Sequence, residues 1–179
     1  MNAAMVPFAY PPLPDAIAWL ALPVLVLAAV RDVAVRQIPN RMAGAVALVG
    51  LLRQVAAGGM ILPLGVLAAG AVFLLASLLW LRGLMGGGDV KLLAAAALLV
   101  PASQVPVLVL AVALAGGLLS LLHILARALL PRRFLGPAPS GSLRRILRCE
   151  AWRIGRGAPL PYGVAIASGA AFIVTGSGG

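Results

Sequence analysis

Charged residues are scarce in this 179-residue chain: they make up 10% of it, and only four of them are acidic. Apolar residues make up 63%, and the mean hydropathy is +1.09. An average soluble domain has about one quarter of its residues charged. We therefore expect lipid to surround most of the chain, and any chemistry to lie in or beside a bundle of membrane helices.

Cysteine and histidine are nearly absent as well. Cys149 is the only cysteine, which excludes an intrachain disulfide and a thiolate zinc cluster. His123 is the only histidine, which excludes a site with several imidazole ligands. Since His123 lies within an apolar stretch, we expect a packed or interface-facing residue. No metal and no cofactor is predicted.

Hydrophobic runs predict an all-α, polytopic bundle of about six transmembrane helices. The runs are Ala16 to Val30, Met42 to Leu52, Met60 to Leu81, Leu92 to Ala126 and Ala158 to Val174. The fourth run would be ~52 Å long as one helix, against ~30 Å of hydrocarbon, and Pro101 and Pro106 interrupt it. We predict two spans there, joined by a turn around residues 102–104.

The positions of the basic residues orient this bundle. Thirteen of the fourteen Lys and Arg residues fall on one side of the six-span arrangement, which is then the cytoplasmic side. Only Arg53 falls on the other side, where we expect it to snorkel. The cytoplasmic loop of about 128–158 is rich in arginine and predicts an interfacial helix on anionic lipid. A five-span alternative would move its arginines outside. The net charge of +10 thus points to membrane lipid and not to nucleic acid.

The four acidic residues differ in their expected roles. Asp15 begins the first span and is expected to be an ordinary helix N-terminal charge. Glu150 lies among arginines, where a solvated salt bridge explains it. Asp32 and Asp89 both fall at the cytoplasmic boundary on different helices, where carboxylates are usually functional or paired. Two carboxylates in one site share a proton, which provides an acid and a base for attack by water.

For each of these two aspartates the local sequence also allows a purely structural role. Asp32 is flanked by arginines and would also suit a helix-end salt bridge. Asp89 follows Gly86–Gly88, which suits a flexible loop with a helix-start Asp. Because glycine permits φ > 0 and close backbone approach, we expect this segment to bend and to leave room for an extended peptide beside Asp89. Lys91 is expected either to tune the charge of the pair or to contact lipid phosphate.

Three segments together resemble the prepilin peptidases, the bacterial branch of the Gly-x-Gly-Asp intramembrane aspartic peptidases. They are Asp32 with Ile38-Pro39-Asn40, then Gly86-Gly87-Gly88-Asp89-Val90-Lys91-Leu92, and Pro161-Tyr162-Gly163. The resemblance implies that Asp32 and Asp89 are the catalytic pair, with Gly86 and Gly88 as the motif glycines. It also implies a prepilin or pseudopilin substrate with a short cytoplasmic leader, and a bacterial inner membrane location.

The chain departs from the larger members of that group, which carry paired Cys-x-x-Cys motifs and an N-methyltransferase activity. We therefore expect a single integral-membrane peptidase domain over residues 1–179, with no methyltransferase or zinc segment. It resembles the compact peptidases of tight-adherence (Flp-type) pilus systems. A transporter subunit and a non-catalytic scaffold of pilus assembly are the alternatives, and the sequence gives no oligomeric state.

Overall fold

A computed structural model describes residues 13–58, 62–129 and 160–176. Within these ranges the chain is helical and contains no strand, so the predicted all-α class is confirmed. The helices are α1 (Leu13–Trp19), α2 (Leu22–Val35), α3 (Asn40–Ala56), α4 (Leu62–Leu81), α5 (Gly87–Ala97), α6 (Val105–Leu129) and α7 (Tyr162–Gly176). A short 3₁₀ turn, Ala102–Gln104, precedes α6.

Three helical segments in the described ranges are long and apolar enough to cross a membrane. They are Leu13–Val35, which joins α1 and α2, then Leu62–Leu81 and Ala102–Ala126. Helix α7 is also apolar but shorter. The long apolar run from Leu92 to Ala126 is broken between α5 and α6, as predicted, at the 3₁₀ turn. The count of six crossings stays a prediction.

The short helix α5 lies at the centre of the bundle, with α3, α4 and α7 packed around it. Beyond its first turn most of its side chains are buried, and many are alanines that let the neighbouring helices approach closely. With 11 residues it is only ~16 Å long. Two carbonyls just beyond its carboxyl end are satisfied by the fully buried Gln54 of α3, whose Nε2 donates to the oxygens of Leu98 at 3.1 Å and Val100 at 3.0 Å.

Helices α2, α7 and α6 form the other part of the bundle, with α7 between its two neighbours. At Gly169 of α7, an added Cβ would lie 2.7 Å from the Val112 side chain of α6, so the small residue permits this contact. The indole Nε1 of Trp19 donates to the carbonyl oxygen of Val174 at 3.2 Å. Residues at the end of α7 thus lie near the start of the first span, and the start of α7 lies near the end of α2.

Asp15 and Arg53 form an ion pair at the end of the bundle where the chain enters α1. The Asp15 carboxylate accepts a hydrogen bond from Arg53 Nη2 at 3.0 Å, and Arg53 is only 5% exposed. The expectation that Arg53 snorkels was wrong, because α1 packs against α3 and presents a carboxylate to the guanidinium. Asp15 does lie in the first turn of α1, as predicted.

Candidate active site

The two aspartates singled out by the sequence line one cavity. Asp32 lies in the last turn of α2 and Asp89 in the first turn of α5. The cavity has a volume of about 570 Å³ and is open to one side. Its remaining lining comes from the segment between α2 and α3 and from the glycines before Asp89, namely Arg31, Arg36, Gln37, Ile38, Pro39, Asn40, Gly86, Gly87 and Gly88.

The chain positions Asp32 by ending α2 one turn after it. Arg36 adopts a left-handed conformation (φ 56°, ψ 31°), and its backbone N–H donates to the Asp32 carbonyl oxygen at 2.9 Å, as in a helix C-cap. Pro39 then takes an extended conformation and precedes α3. Because proline disfavours helix in the residue before it, this segment cannot continue α2. Asp32 is therefore held at a helix end, with only 6% of its surface exposed.

A third element, α7, completes the surroundings of Asp32. The backbone N–H of Gly163 donates to Asp32 Oδ2 at 2.8 Å in a buried contact. A Cβ on Gly163 would lie 2.9 Å from the same Oδ2 and 3.0 Å from Asp32 Cβ, so a side chain here would collide with the carboxylate. Gly163 also lies in the first turn of α7, where the helix dipole favours a negative charge.

Sequence reasoning missed Gly163 as a site residue. It appeared only within Pro161-Tyr162-Gly163, one of the segments behind the family resemblance. The available signal was a proline immediately before an apolar helix, followed by a glycine in its first turn. That signal marks a helix start, but it does not reveal which group the free N–H would meet.

The backbone of Gly86–Gly88 differs from the expectation. Gly86 precedes α5 with φ −74° and ψ 144°, and Gly87 and Gly88 already belong to the helix. Among the described glycines, φ is positive only at Gly58 and Gly83. The segment therefore does not use the positive φ that glycine permits; the nearest residue with positive φ before Asp89 is Gly83.

The prediction that these glycines leave room beside the carboxylate agrees with the structure. A Cβ on Gly86 would lie 2.8 Å from Asp89 Oδ2. A Cβ on Gly88 would lie 3.1 Å from the Ile38 Cβ, so Gly88 lets α5 approach the segment that follows α2. The two motif glycines thus act through the space that a side chain would occupy.

Charge and burial make Asp89 a group that titrates near neutrality. Burial, and secondly the negative charge of Asp32, raise the pKa of Asp89 to about 6 from its ordinary value of 3.8. A hydrogen bond from the Gly86 backbone and the positive charge of Arg36 act in the opposite direction. Two carboxylates that influence each other in this way are suited to holding one proton between them.

Lys91 lies outside this cavity. Its Nζ donates to Asn40 Oδ1 at 2.9 Å, and Asn40 itself lines the cavity. The Lys91 ammonium can therefore influence the charge of the aspartates only through Asn40 or by long-range electrostatics. The two predicted roles of Lys91 stay predictions. His123 is half-buried on α6, with Nδ1 2.9 Å from the Leu119 carbonyl oxygen of the same helix.

In the described ranges no three His, Cys, Asp or Glu side chains lie close enough to hold a metal ion. Cys149, Glu150 and nearly all of the predicted basic loop lie outside those ranges, as does its interfacial helix.

Comparison with known proteins places the chain in a family. A model of the type IV leader peptidase family matches residues 19–121, which is more than half of the chain. The match includes Asp32 and Asp89 but ends before Gly163. No curated protein and no solved structure matches the chain. Taken with its apolar helices and its cavity with two carboxylates, this match shows that the chain belongs to the type IV leader peptidase family and is a membrane peptidase.

Proposed function

We propose that this protein is a prepilin leader peptidase, an aspartyl endopeptidase in which Asp32 and Asp89 activate the water that cleaves the leader. One observation carries the proposal: both carboxylates line a single open cavity of about 570 Å³. Gly86, Gly87 and Gly88 add no side chain to its lining, and a Cβ on Gly86 would lie 2.8 Å from Asp89 Oδ2. An extended peptide needs such space to bring its carbonyl carbon near the pair.

In this proposal the two aspartates have different chemical roles. Asp32 accepts the Gly163 N–H at 2.8 Å and is the ionised base that takes a proton from water. Asp89, with its pKa raised to about 6, carries the shared proton and donates a hydrogen bond to the scissile carbonyl oxygen. At pH 7 a pKa near 6 leaves roughly a tenth of Asp89 protonated, and a substrate that expels water from the cavity increases that fraction.

Water and the two aspartates supply every proton that moves during hydrolysis of the scissile bond. Water oxygen attacks the carbonyl carbon as its proton passes to Asp32, and the proton of Asp89 moves toward the developing oxyanion. Collapse of the tetrahedral diol then breaks the C–N bond. The proton held by Asp32 passes to the leaving amine, and one hydroxyl of the diol returns its proton to Asp89 as the new C=O forms, so the pair regains its starting protonation. The carboxylic acid of the leader afterwards releases its proton to water. The products are a leader with a new carboxylate and a mature subunit with a new amino terminus.

The substrate class and the orientation extend the same proposal. The substrate is a prepilin or pseudopilin of a tight-adherence (Flp-type) system, cut between a short basic leader and an apolar helix, commonly after glycine. The active site faces the cytoplasm from the bacterial inner membrane. In support, Asp15 and Asp32 lie 17 residues apart along α1 and α2, or ~26 Å if the path is helical, so the Asp15–Arg53 pair and the carboxylate pair occupy opposite ends of the bundle.

Substitution of each aspartate tests the mechanism. Asp32→Asn and Asp89→Asn are each expected to reduce leader removal from a co-expressed prepilin by about 100-fold or more, read as a shift on a gel. Asparagine keeps the size of the side chain but cannot share the proton. Glu150→Gln removes a carboxylate predicted to be solvated and is the matched control. Cleavage near the wild-type rate by either aspartate variant, at equal expression, would instead favour the non-catalytic scaffold.

Cysteine labelling tests the orientation. In a Cys149→Ser background, Ser140→Cys and Arg156→Cys are expected to react only with membrane-permeant thiol reagents. Ser103→Cys, within the turn between α5 and α6, is expected to react with an impermeant reagent added outside. Labelling of position 156 from outside would overturn the cytoplasmic placement of the active site.

A further inference from the structure

A second cavity, of about 520 Å³, runs along the side of the bundle and is here called the lateral groove. Helices α3 and α4 form its walls and α5 its floor, because both wall helices pack on α5 and touch each other little. Each helix contributes one face, with residues three or four positions apart. On α3 these are Asn40, Ala43, Gly44, Ala47 and Leu51.

The walls contain two glycines that the packing of the protein does not require. A Cβ on Gly44 or on Gly70 would meet no atom within 4 Å. By contrast, a Cβ on Gly50 would lie 2.5 Å from Leu98 Cβ, and one on Gly65 would lie 2.7 Å from Gln54. Gly50 and Gly65 are explained by close contacts inside the bundle. Gly44 and Gly70 instead leave open space on opposite walls of the lateral groove.

The lateral groove lies next to the site of the two aspartates. Asn40 lines both cavities, and Lys91, which donates to Asn40 at 2.9 Å, lines the lateral groove. From this polar end the lateral groove follows α3 as far as Leu51, a distance of ~16 Å or three helical turns. Apart from Asn40 and Lys91 its lining is apolar or glycine.

We propose that the lateral groove receives the first three turns of the substrate's apolar helix, the part that directly follows the scissile bond. The inference rests on the proposed function. Helices in lipid associate where small residues allow their backbones to approach, and Ala43, Gly44, Ala47 and Gly70 provide such a surface. A substrate whose leader junction is extended between Asp32 and Asp89 passes Asn40 and continues as a helix along α3.

Filling the lateral groove tests this placement. Gly44→Leu and Gly70→Leu are each expected to lower kcat/KM for membrane-embedded prepilin by about tenfold or more, since leucine blocks a close helix contact. Gly117→Leu on α6 is the matched control: its Cβ also meets nothing within 4 Å, but it lies outside the lateral groove. This control is expected to stay within about twofold of the wild type.

Photocrosslinking provides a second measurement that does not depend on cleavage. Benzoylphenylalanine in place of Phe73, which lines the lateral groove, is expected to crosslink to the apolar helix of prepilin in the Asp89→Asn background. The same replacement at Phe172, which is 71% exposed on α7, is the control and should not crosslink to prepilin.

The outcomes separate the two proposals. Wild-type cleavage by both leucine variants, or crosslinks from position 73 to lipid or to a second copy of this chain, would overturn the docking proposal and leave the peptidase intact. Crosslinking to prepilin by an enzyme whose wild type removes no leader would refute the peptidase and leave the docking surface.

Discussion

Replacing Gly163 by alanine tests whether the contact between α7 and Asp32 matters for catalysis. The added methyl carbon would lie 2.9 Å from Asp32 Oδ2 and 3.0 Å from Asp32 Cβ. Distances this short are not sustained, so either the carboxylate rotates or the start of α7 moves away. In both cases the 2.8 Å hydrogen bond from the Gly163 N–H to Asp32 is lost or lengthened.

The size of the effect follows from that bond. A hydrogen bond to a charged group contributes ~1.5–3 kcal/mol, and 1.36 kcal/mol corresponds to a tenfold change in rate. If Asp32 acts as the base, kcat/KM should fall roughly 10- to 150-fold. Alanine favours helix over glycine by up to ~1 kcal/mol, which offsets part of the lost contact in the free energy of unfolding. The loss of transition-state stabilisation should therefore exceed the loss in the free energy of unfolding, by up to ~1 kcal/mol.

The assay compares Gly163→Ala with Gly176→Ala, a control in the same helix whose Cβ would meet nothing within 4 Å. Leader cleavage is measured at matched concentrations of purified enzyme, and thermal unfolding is followed in the same detergent. Cleavage by Gly163→Ala within about twofold of the control would refute the idea that this contact positions Asp32 for catalysis.

Three further predictions concern stability. The folded pKa of Asp89 is near 6, above its ordinary 3.8, so the native state holds more protons than the unfolded state between pH 4 and 6 and loses stability as the pH rises through that window. At pH 7, Asp89→Asn should therefore raise the free energy of unfolding by about 1–2 kcal/mol, after discounting for partial exposure. At pH 3.5 the variant and the wild type should be equally stable. Asp15→Asn should lower the free energy of unfolding by about 1–3 kcal/mol because Arg53 stays buried, while the double variant with Arg53→Met recovers much of it; additive losses would contradict the pairing. Gln54→Leu should destabilise by about 1–3 kcal/mol, since two carbonyls lose their donor, and an unchanged melting temperature would show that other groups satisfy them.

Local signals account for the parts of the fold that the sequence predicted correctly. The break between α5 and α6 follows from Pro101 and from an apolar run too long for one span. The meeting of Asp32 and Asp89 required no knowledge of side-chain packing. It required only that two carboxylates, predicted from the distribution of lysine and arginine to lie at the same membrane boundary, belong to one small bundle.

The parts that failed depend on contacts between distant segments. Arg53 was expected to reach solvent, but its environment is set by the packing of α1 on α3, which no local pattern around either residue reveals. The hydrogen bond from Gly163 was missed for a related reason. Its donor is a backbone N–H, which almost every residue possesses, so the sequence marks the helix start but not the acceptor.

The short length of α5 connects the site of the two aspartates with the packing of the rest of the bundle. A helix of ~16 Å crosses only about half of a ~30 Å hydrocarbon core, so its carboxyl end would lie within apolar surroundings if Asp89 lies at the membrane boundary. Carbonyls left without donors there destabilise the fold by several kcal/mol each. Gln54 donates to two of them, at Leu98 and Val100, and its burial follows from that role. Helices α3 and α4 both pack on this short helix and touch each other little, so the lateral groove lies between them, beside the two aspartates.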